Sequence, residues 1–125
     1  MILDTNALSA LSVGDEAVMA HFGRASQVQI PVIVLGEFRF GIGQLRRPAE
    51  HKRWFDELLS VCGVLPIDPE TTAHYAELRT ELQRAGTPIP SNDVWIGALC
   101  RQHSLPILSQ DRHFDWMKGV KRHSW

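Results

Sequence analysis

The sequence predicts a three-layer α/β fold with a central, mostly parallel sheet of four or five short strands. Short apolar runs alternate with helix-length amphipathic segments from end to end, the order that builds a parallel sheet covered by helices. Each short run is closed by polar, cap-type residues, and each is too short and too apolar for a solvent-facing antiparallel strand. The chain has 125 residues, enough for one domain, 1–125, with a single core that needs no disulfide.

Met1-Ile2-Leu3 is the first run. It stops at Asp4-Thr5-Asn6, residues suited to capping the helix that follows. Asp15-Glu16 opens a second helix, read to about Phe22. Val28-Gln29-Ile30 forms the second strand before Pro31, and proline suits the first turn of the next helix, read over Pro31 to about Gln44. Val34, Phe38, Ile42 and Leu45 lie at helical spacing and give that helix one apolar stripe. A helix from Pro48 to about Cys62 turns Trp54, Phe55, Leu58, Leu59 and Cys62 inward, with Gly63 as its C-cap. Val64-Leu65 and Ile67 make the third strand. Asp68 caps a long helix with Ala73, Tyr75, Ala76, Leu78 and Leu82 inside. The run from Ala85 to Pro90 is a loop, Ser91-Asn92-Asp93 begins a helix ending near His103, and Pro106-Ile107-Leu108-Ser109 is the fourth strand. A turn rich in His, Asp and Lys closes the chain.

Composition narrows the function. The net charge is −1, with 44% apolar and 22% charged residues, so the protein as a whole does not attract nucleic acid and any such contact needs a local patch or a metal ion. Two basic groups qualify, Arg46, Arg47, Lys52 and Arg53, then Lys118, Lys121, Arg122 and His123; each also reads as an ordinary solvated face. Cys62 and Cys100 lack zinc-ligand spacing and read as small buried hydrophobes. With no signal peptide and no membrane-length apolar run, the expectation is a cytoplasmic protein with reduced thiols. The six histidines are scattered; His113, two after Asp111, is the one set apart. The sequence has no nucleophile elbow, phosphate loop or dinucleotide fingerprint.

Three acidic residues, Asp4, Asp93 and Asp111, fall where parallel sheets bind ligands, outside the carboxyl ends of the strands, and Glu37 is a fourth candidate. Asp4 follows the first strand and Asp111 the fourth. Asp93 shares the inward face of its helix with Ile96, Gly97 and Cys100. Glu37 sits mid-helix among Leu35, Gly36 and Phe38, with Arg39 the nearest cation in sequence. Singly, each has a plainer reading: a cap for Asp4, a first-turn acid for Asp93, an ion pair for Glu37, a turn residue for Asp111. Together they suit metal-assisted phosphodiester hydrolysis, because Mg²⁺ and Mn²⁺ take hard oxygen ligands and polarise a phosphoryl group. Packed carboxylates repel one another, so a bound cation should stabilise the fold.

The same residues resemble the PIN-domain family, and within it the VapC-like toxins of bacterial toxin–antitoxin pairs. The resemblance runs through Ile2-Leu3-Asp4-Thr5-Asn6, Val34 to Gly41, Pro90 to Ala98, Leu108 to Phe114, and Gly119-Val120 to Trp125, in order over essentially the whole chain. It implies a PIN-like fold and a Mg²⁺- or Mn²⁺-dependent endoribonuclease, with Asp4, Glu37, Asp93 and Asp111 holding metal and Thr5, Asn6 and Ser109 lining the pocket. Many relatives carry an acid where this chain has His113, which puts the ligand set there in question; Asp115 is a nearby substitute. Arg39, Arg112 and His113 are candidate RNA contacts. The resemblance further implies a cognate antitoxin, whose basic side chain would enter the acidic pocket, and a homodimer, for which Trp54, Phe55 and Trp95 offer apolar surface if they are not core. Two other functions fit less of the sequence: a haloacid-dehalogenase-like phosphatase, which needs an aspartate where Asn6 stands, and a non-catalytic RNA- or protein-binding module.

Overall fold

A computed structural model describes residues 1–125. In chain order the elements are β1 (Ile2–Leu3), α1 (Thr5–Ser12), α2 (Glu16–Arg24), β2 (Gln29–Pro31), α3 (Val32–Gly43), α4 (Pro48–Leu59), β3 (Gly63–Leu65), α5 (Pro69–Ala85), α6 (Ser91–His103), β4 (Ile107–Leu108), a 3₁₀ turn (Arg112–Trp116) and β5 (Arg122–His123). The five strands form one sheet in the order β3-β2-β1-β4-β5, and every neighbouring pair is parallel. The fold class is therefore the expected one, and the fifth strand completes the sheet's edge.

Topology creates the site. The chain starts in the central strand, builds outward through β2 and β3, and returns to the other side of β1 with β4 and then β5. The order thus reverses between β1 and β4, and a crevice opens at their carboxyl ends, where doubly wound sheets hold ligands. Register fixes what lines it: Ile2 pairs with Ile107 and Leu3 with Leu108. The next residue of each strand is Asp4 and Ser109, and the Asp4 amide still donates to the Leu108 carbonyl at 3.2 Å.

The three central strands β2, β1 and β4 are buried throughout. Ile2, Leu3, Ile30, Ile107 and Leu108 have no exposed surface. Fully burying side chains of this size stabilises by about 1.5–3 kcal/mol each. Helices α1, α3 and α4 pack against one another, α2 joins them through α1, and α5 and α6 form a close pair on which the 3₁₀ turn rests through α6. Val34, Phe38 and Ile42 supply the buried stripe of α3, and Phe38 meets Phe55 of α4 with ring centroids 4.8 Å apart.

Several local expectations shift. Leu45 lies past the end of α3 and is exposed. The third strand stops at Leu65, because Pro66 has no N–H for the ladder, and Ile67 is exposed. Gly63 opens β3 rather than capping α4; a Cβ there would lie 2.2 Å from Gln29 Oε1 of the neighbouring strand. Ala73 and Ala76 of α5 face solvent. Its buried face runs through Thr71, Leu78 and Leu82, while Thr71 and Asp68 close the N-terminus as a reciprocal capping box. Phe55 is core, and Trp54 packs on Phe38. Trp95 stacks on Tyr75, centroids 3.9 Å apart. Their apolar surface is thus largely engaged within the chain.

Candidate active site

Asp4 is the N-cap of α1, in extended backbone conformation, with its carboxylate aimed into the crevice rather than out to water. It is only 6% exposed. Three donors hold it: the Thr5 amide and Asn6 Nδ2, both at 2.7 Å, and Ser109 Oγ at 2.6 Å. The cap expected from the sequence is therefore present, and the same side chain lines the crevice. Ser109 is fully buried and works in both directions, since its Oγ also accepts the Asp111 amide at 2.9 Å. Asn6 is fixed in turn, its Oδ1 accepting the Gln110 amide at 3.2 Å.

Glu37 reaches the same crevice from α3. Arg39 is not its partner: that guanidinium lies over the Phe55 ring, 5.9 Å from its centroid, and borders a groove of about 670 Å³ between α3 and α4. Glu37 is held instead by two neutral donors, Thr5 Oγ1 on Oε2 and Asn92 Nδ2 on Oε1, the latter at 2.7 Å. Asn92, read from the sequence only as part of the start of a helix, is thus joined to Glu37.

Asp93 and Asp111 meet across His113. The ring Nδ1 lies 2.9 Å from Asp93 Oδ2 and 3.1 Å from Asp111 Oδ1, and the His113 amide donates to Asp111 Oδ1 at 2.8 Å. The ligand atoms of Asp93, Asp111 and His113 all fall within 4.8 Å of one another. His113 therefore belongs to the acidic cluster itself. Asp115 does not substitute for it: Arg122 clamps Asp115 with two bonds of 2.8 Å and sends its third donor to the Ser109 carbonyl at 3.0 Å. Arg122 consequently braces the site from behind and drops out of the basic patch. Arg112 is exposed on the rim.

The electrostatics follow from this packing. Burial pushes the Asp4 carboxyl above the ordinary carboxylate range, and the charges of Asp93 and Glu37 add to it; the Ser109 and Thr5 hydrogen bonds pull the other way. Burial likewise raises Asp93, with Asp111 and Glu37 adding to the rise and the His113 hydrogen bond opposing it. Beneath the site, burial and then the Asp4 charge push the Cys100 thiol up to about 12, so it stays an inert, protonated core group. Negative charge is concentrated here at a cost that a cation would remove.

A parallel sheet with an acidic pocket at its switch point defines the class: α/β proteins that gather hard oxygen donors from distant parts of the chain around one crevice. This chain belongs to the PIN domain family, whose profile matches residues 1–119. It is similar to Ribonuclease VapC5 of Mycobacterium tuberculosis, 29% identical over 124 residues, covering 95% of this chain and 88% of that protein. It is also similar to the tRNA(fMet)-specific endonuclease VapC of Salmonella typhimurium, at 25% identity with 99% and 96% coverage. Among solved structures, the DNA-bound VapBC of Salmonella typhimurium matches with a TM-score of 0.90 at 25% identity, over 99% of this chain and 96% of that one.

Proposed function

We propose that this protein is a divalent-metal-dependent endoribonuclease, one PIN domain over residues 1–125, acting as the toxin of a toxin–antitoxin pair. One observation carries the reading: side chains from β1, α3, α6 and the segment after β4 converge on one crevice, with the ligand atoms of Asp93, Asp111 and His113 within 4.8 Å of one another. The relatives named as VapC ribonucleases support the substrate class, and a VapBC structure of the same fold from Mycobacterium tuberculosis, described as a toxin–antitoxin system, supports the toxin role.

The donor set is mostly carboxylate oxygen, which fits Mg²⁺ or Mn²⁺. Asp4, Asp93 and Asp111 would hold the ion, with Glu37 beside it and His113 available as a nitrogen ligand that favours Mn²⁺ over Mg²⁺. When bound, the ion supplies positive charge against the phosphoryl oxygen and acidity for a nearby water. The protein's own groups do the rest. Ser109, Asn6 and the Thr5 amide fix which Asp4 lone pairs point into the crevice. Thr5 and Asn92 hold Glu37 where it can take the proton of an attacking water. Arg112 offers the exposed charge on the rim for a neighbouring phosphate. An antitoxin inserting a basic side chain among the carboxylates would occupy the same space as metal and phosphate, which explains inhibition by simple exclusion. Two buried thiols, Cys62 and Cys100, both free, suit a reducing cytoplasm, and no helix is long and apolar enough to cross a membrane. A homodimer is part of the proposal from the family resemblance.

The test is cleavage of a panel of structured and single-stranded RNAs with Mg²⁺ or Mn²⁺, with and without EDTA, by wild type and Asp4→Asn. Cleavage should need both the ion and Asp4. Turnover that survives EDTA or the substitution refutes the metal–carboxylate mechanism.

A further inference from the structure

We propose that the Trp116 indole is a stacking platform for an unpaired base of the RNA beside the bond that is cut. The inference rests on the nuclease reading above and adds a binding residue to it. Trp116 ends the 3₁₀ turn with 54% of its surface exposed, although Phe114 and Met117 on either side are buried at 0% and 2%. Those two anchors hold the turn rigid, so the exposed indole is carried on a fixed support.

Its position gives it a use. The Trp116 ring lies against the His113 ring, centroids 5.6 Å apart and tilted by 54°. The His113 Nδ1 touches both Asp93 and Asp111. The indole is thus one ring away from the carboxylates around which a scissile phosphate would sit. The local charge also suits a polyanion. Asp115, the acid nearest in sequence, is already neutralised by the bidentate Arg122, and Arg112 is exposed at the start of the same turn. An exposed aromatic ring and an exposed cation on one turn suit single-stranded nucleic acid, in which the base stacks and the phosphate pairs. Because every base has a π-face, such a platform favours unpaired RNA over duplex without selecting a sequence.

The test uses Trp116→Ala and Trp116→Phe with a short, fluorescein-labelled single-stranded RNA. Affinity is read in Ca²⁺ and cleavage in Mn²⁺. Trp116→Ala should weaken RNA binding and raise KM by roughly 5- to 100-fold, the range for losing one base–aromatic stack. It should leave kcat within about twofold and calorimetric Mn²⁺ affinity unchanged, whereas Trp116→Phe should stay within about threefold of wild type in all readouts. An RNA with one abasic nucleotide next to the cleaved bond should cost wild type the same factor and cost Trp116→Ala little more, since both changes remove one interaction. Unweakened RNA binding by Trp116→Ala overturns the proposal, as does an equal loss of Mn²⁺ affinity, which would make the indole a support for His113. Intact RNA affinity with lost antitoxin affinity also overturns it and assigns the indole to the protein partner. A wild type that binds the RNA but never cuts it sinks the nuclease reading instead, and with it any claim about a cleaved bond.

Discussion

Replacing Ser109 by alanine tests the architecture of the site with the smallest possible change. The side chain is fully buried, and its hydroxyl donates to Asp4 Oδ2 at 2.6 Å while accepting the Asp111 amide at 2.9 Å and Asn6 Nδ2 at 3.2 Å. Alanine adds no volume, so the effect isolates the hydrogen bonds. A bond to a charged group contributes roughly 1.5–3 kcal/mol, and an amide left without its partner costs about another 1 kcal/mol. The expected destabilisation is therefore about 2–4 kcal/mol, or on the order of 10 °C in Tm for a chain of this size. A second readout follows from electrostatics. The Ser109 bond opposes the upward push of burial on the Asp4 carboxyl, so its loss raises that group further. If Asp4 acts as the ionised carboxylate, the acid limb of the pH–rate profile must move to higher pH. Thermal unfolding by circular dichroism and a pH series of RNA cleavage measure the two effects. A variant that melts within about 1 °C of wild type with an unmoved acid limb refutes the claim that Ser109 organises Asp4.

Three further outcomes follow from the same structure. Metal-free protein should lose stability as pH rises from the ordinary carboxylate range through the raised values of Asp4 and Asp93: the folded state binds more protons than the unfolded one there, so the slope of unfolding free energy against pH is negative. Urea titrations across that window should show the slope, and saturating Mn²⁺ should abolish it while adding about 2.7 kcal/mol at a hundredfold excess over Kd. Gly97→Ala should destabilise by about 1–3 kcal/mol in thermal melts, because a Cβ there would stand 2.2 Å from the sulfur of Met117, itself 2% exposed. Asn92→Ala should lower kcat while leaving Tm within about 1 °C, since the exposed Asn92 touches Glu37 without contributing to the core.

The sequence made the alternation of elements legible, and with it the places of Asp4 and Asp111 beyond the ends of β1 and β4, because each depends on local pattern and chain order. Strand ends and the polar residues beyond them are local facts, and a parallel sheet turns them into spatial neighbours. What escaped depends on partners remote in the chain. Arg39 is two residues from Glu37, yet on a helix that spacing points the side chains apart, and it is the distant Phe55 that takes the guanidinium. Arg122 read as one of a basic cluster, but its charge is spent on Asp115. Ala73 and Ala76 read as buried because alanine is apolar; small residues carry too little surface to decide which face of α5 turns inward, and Leu78 and Leu82 decide it instead.

The histidine at position 113 changes how the pocket must be understood. Its carboxylates are held in two different ways. Asp4 and Glu37 are bound by neutral donors, from Ser109, Asn6, Thr5 and Asn92, which orient them without cancelling their charge. Asp93 and Asp111 both lie against one ring nitrogen of His113, at 2.9 and 3.1 Å. The first pair is oriented by the donors of four separate residues, whereas a single ring bridges the second pair. The two pairs meet at Ser109, whose hydroxyl joins Asp4 to the Asp111 backbone, so one buried side chain of no charge sets the spacing between them.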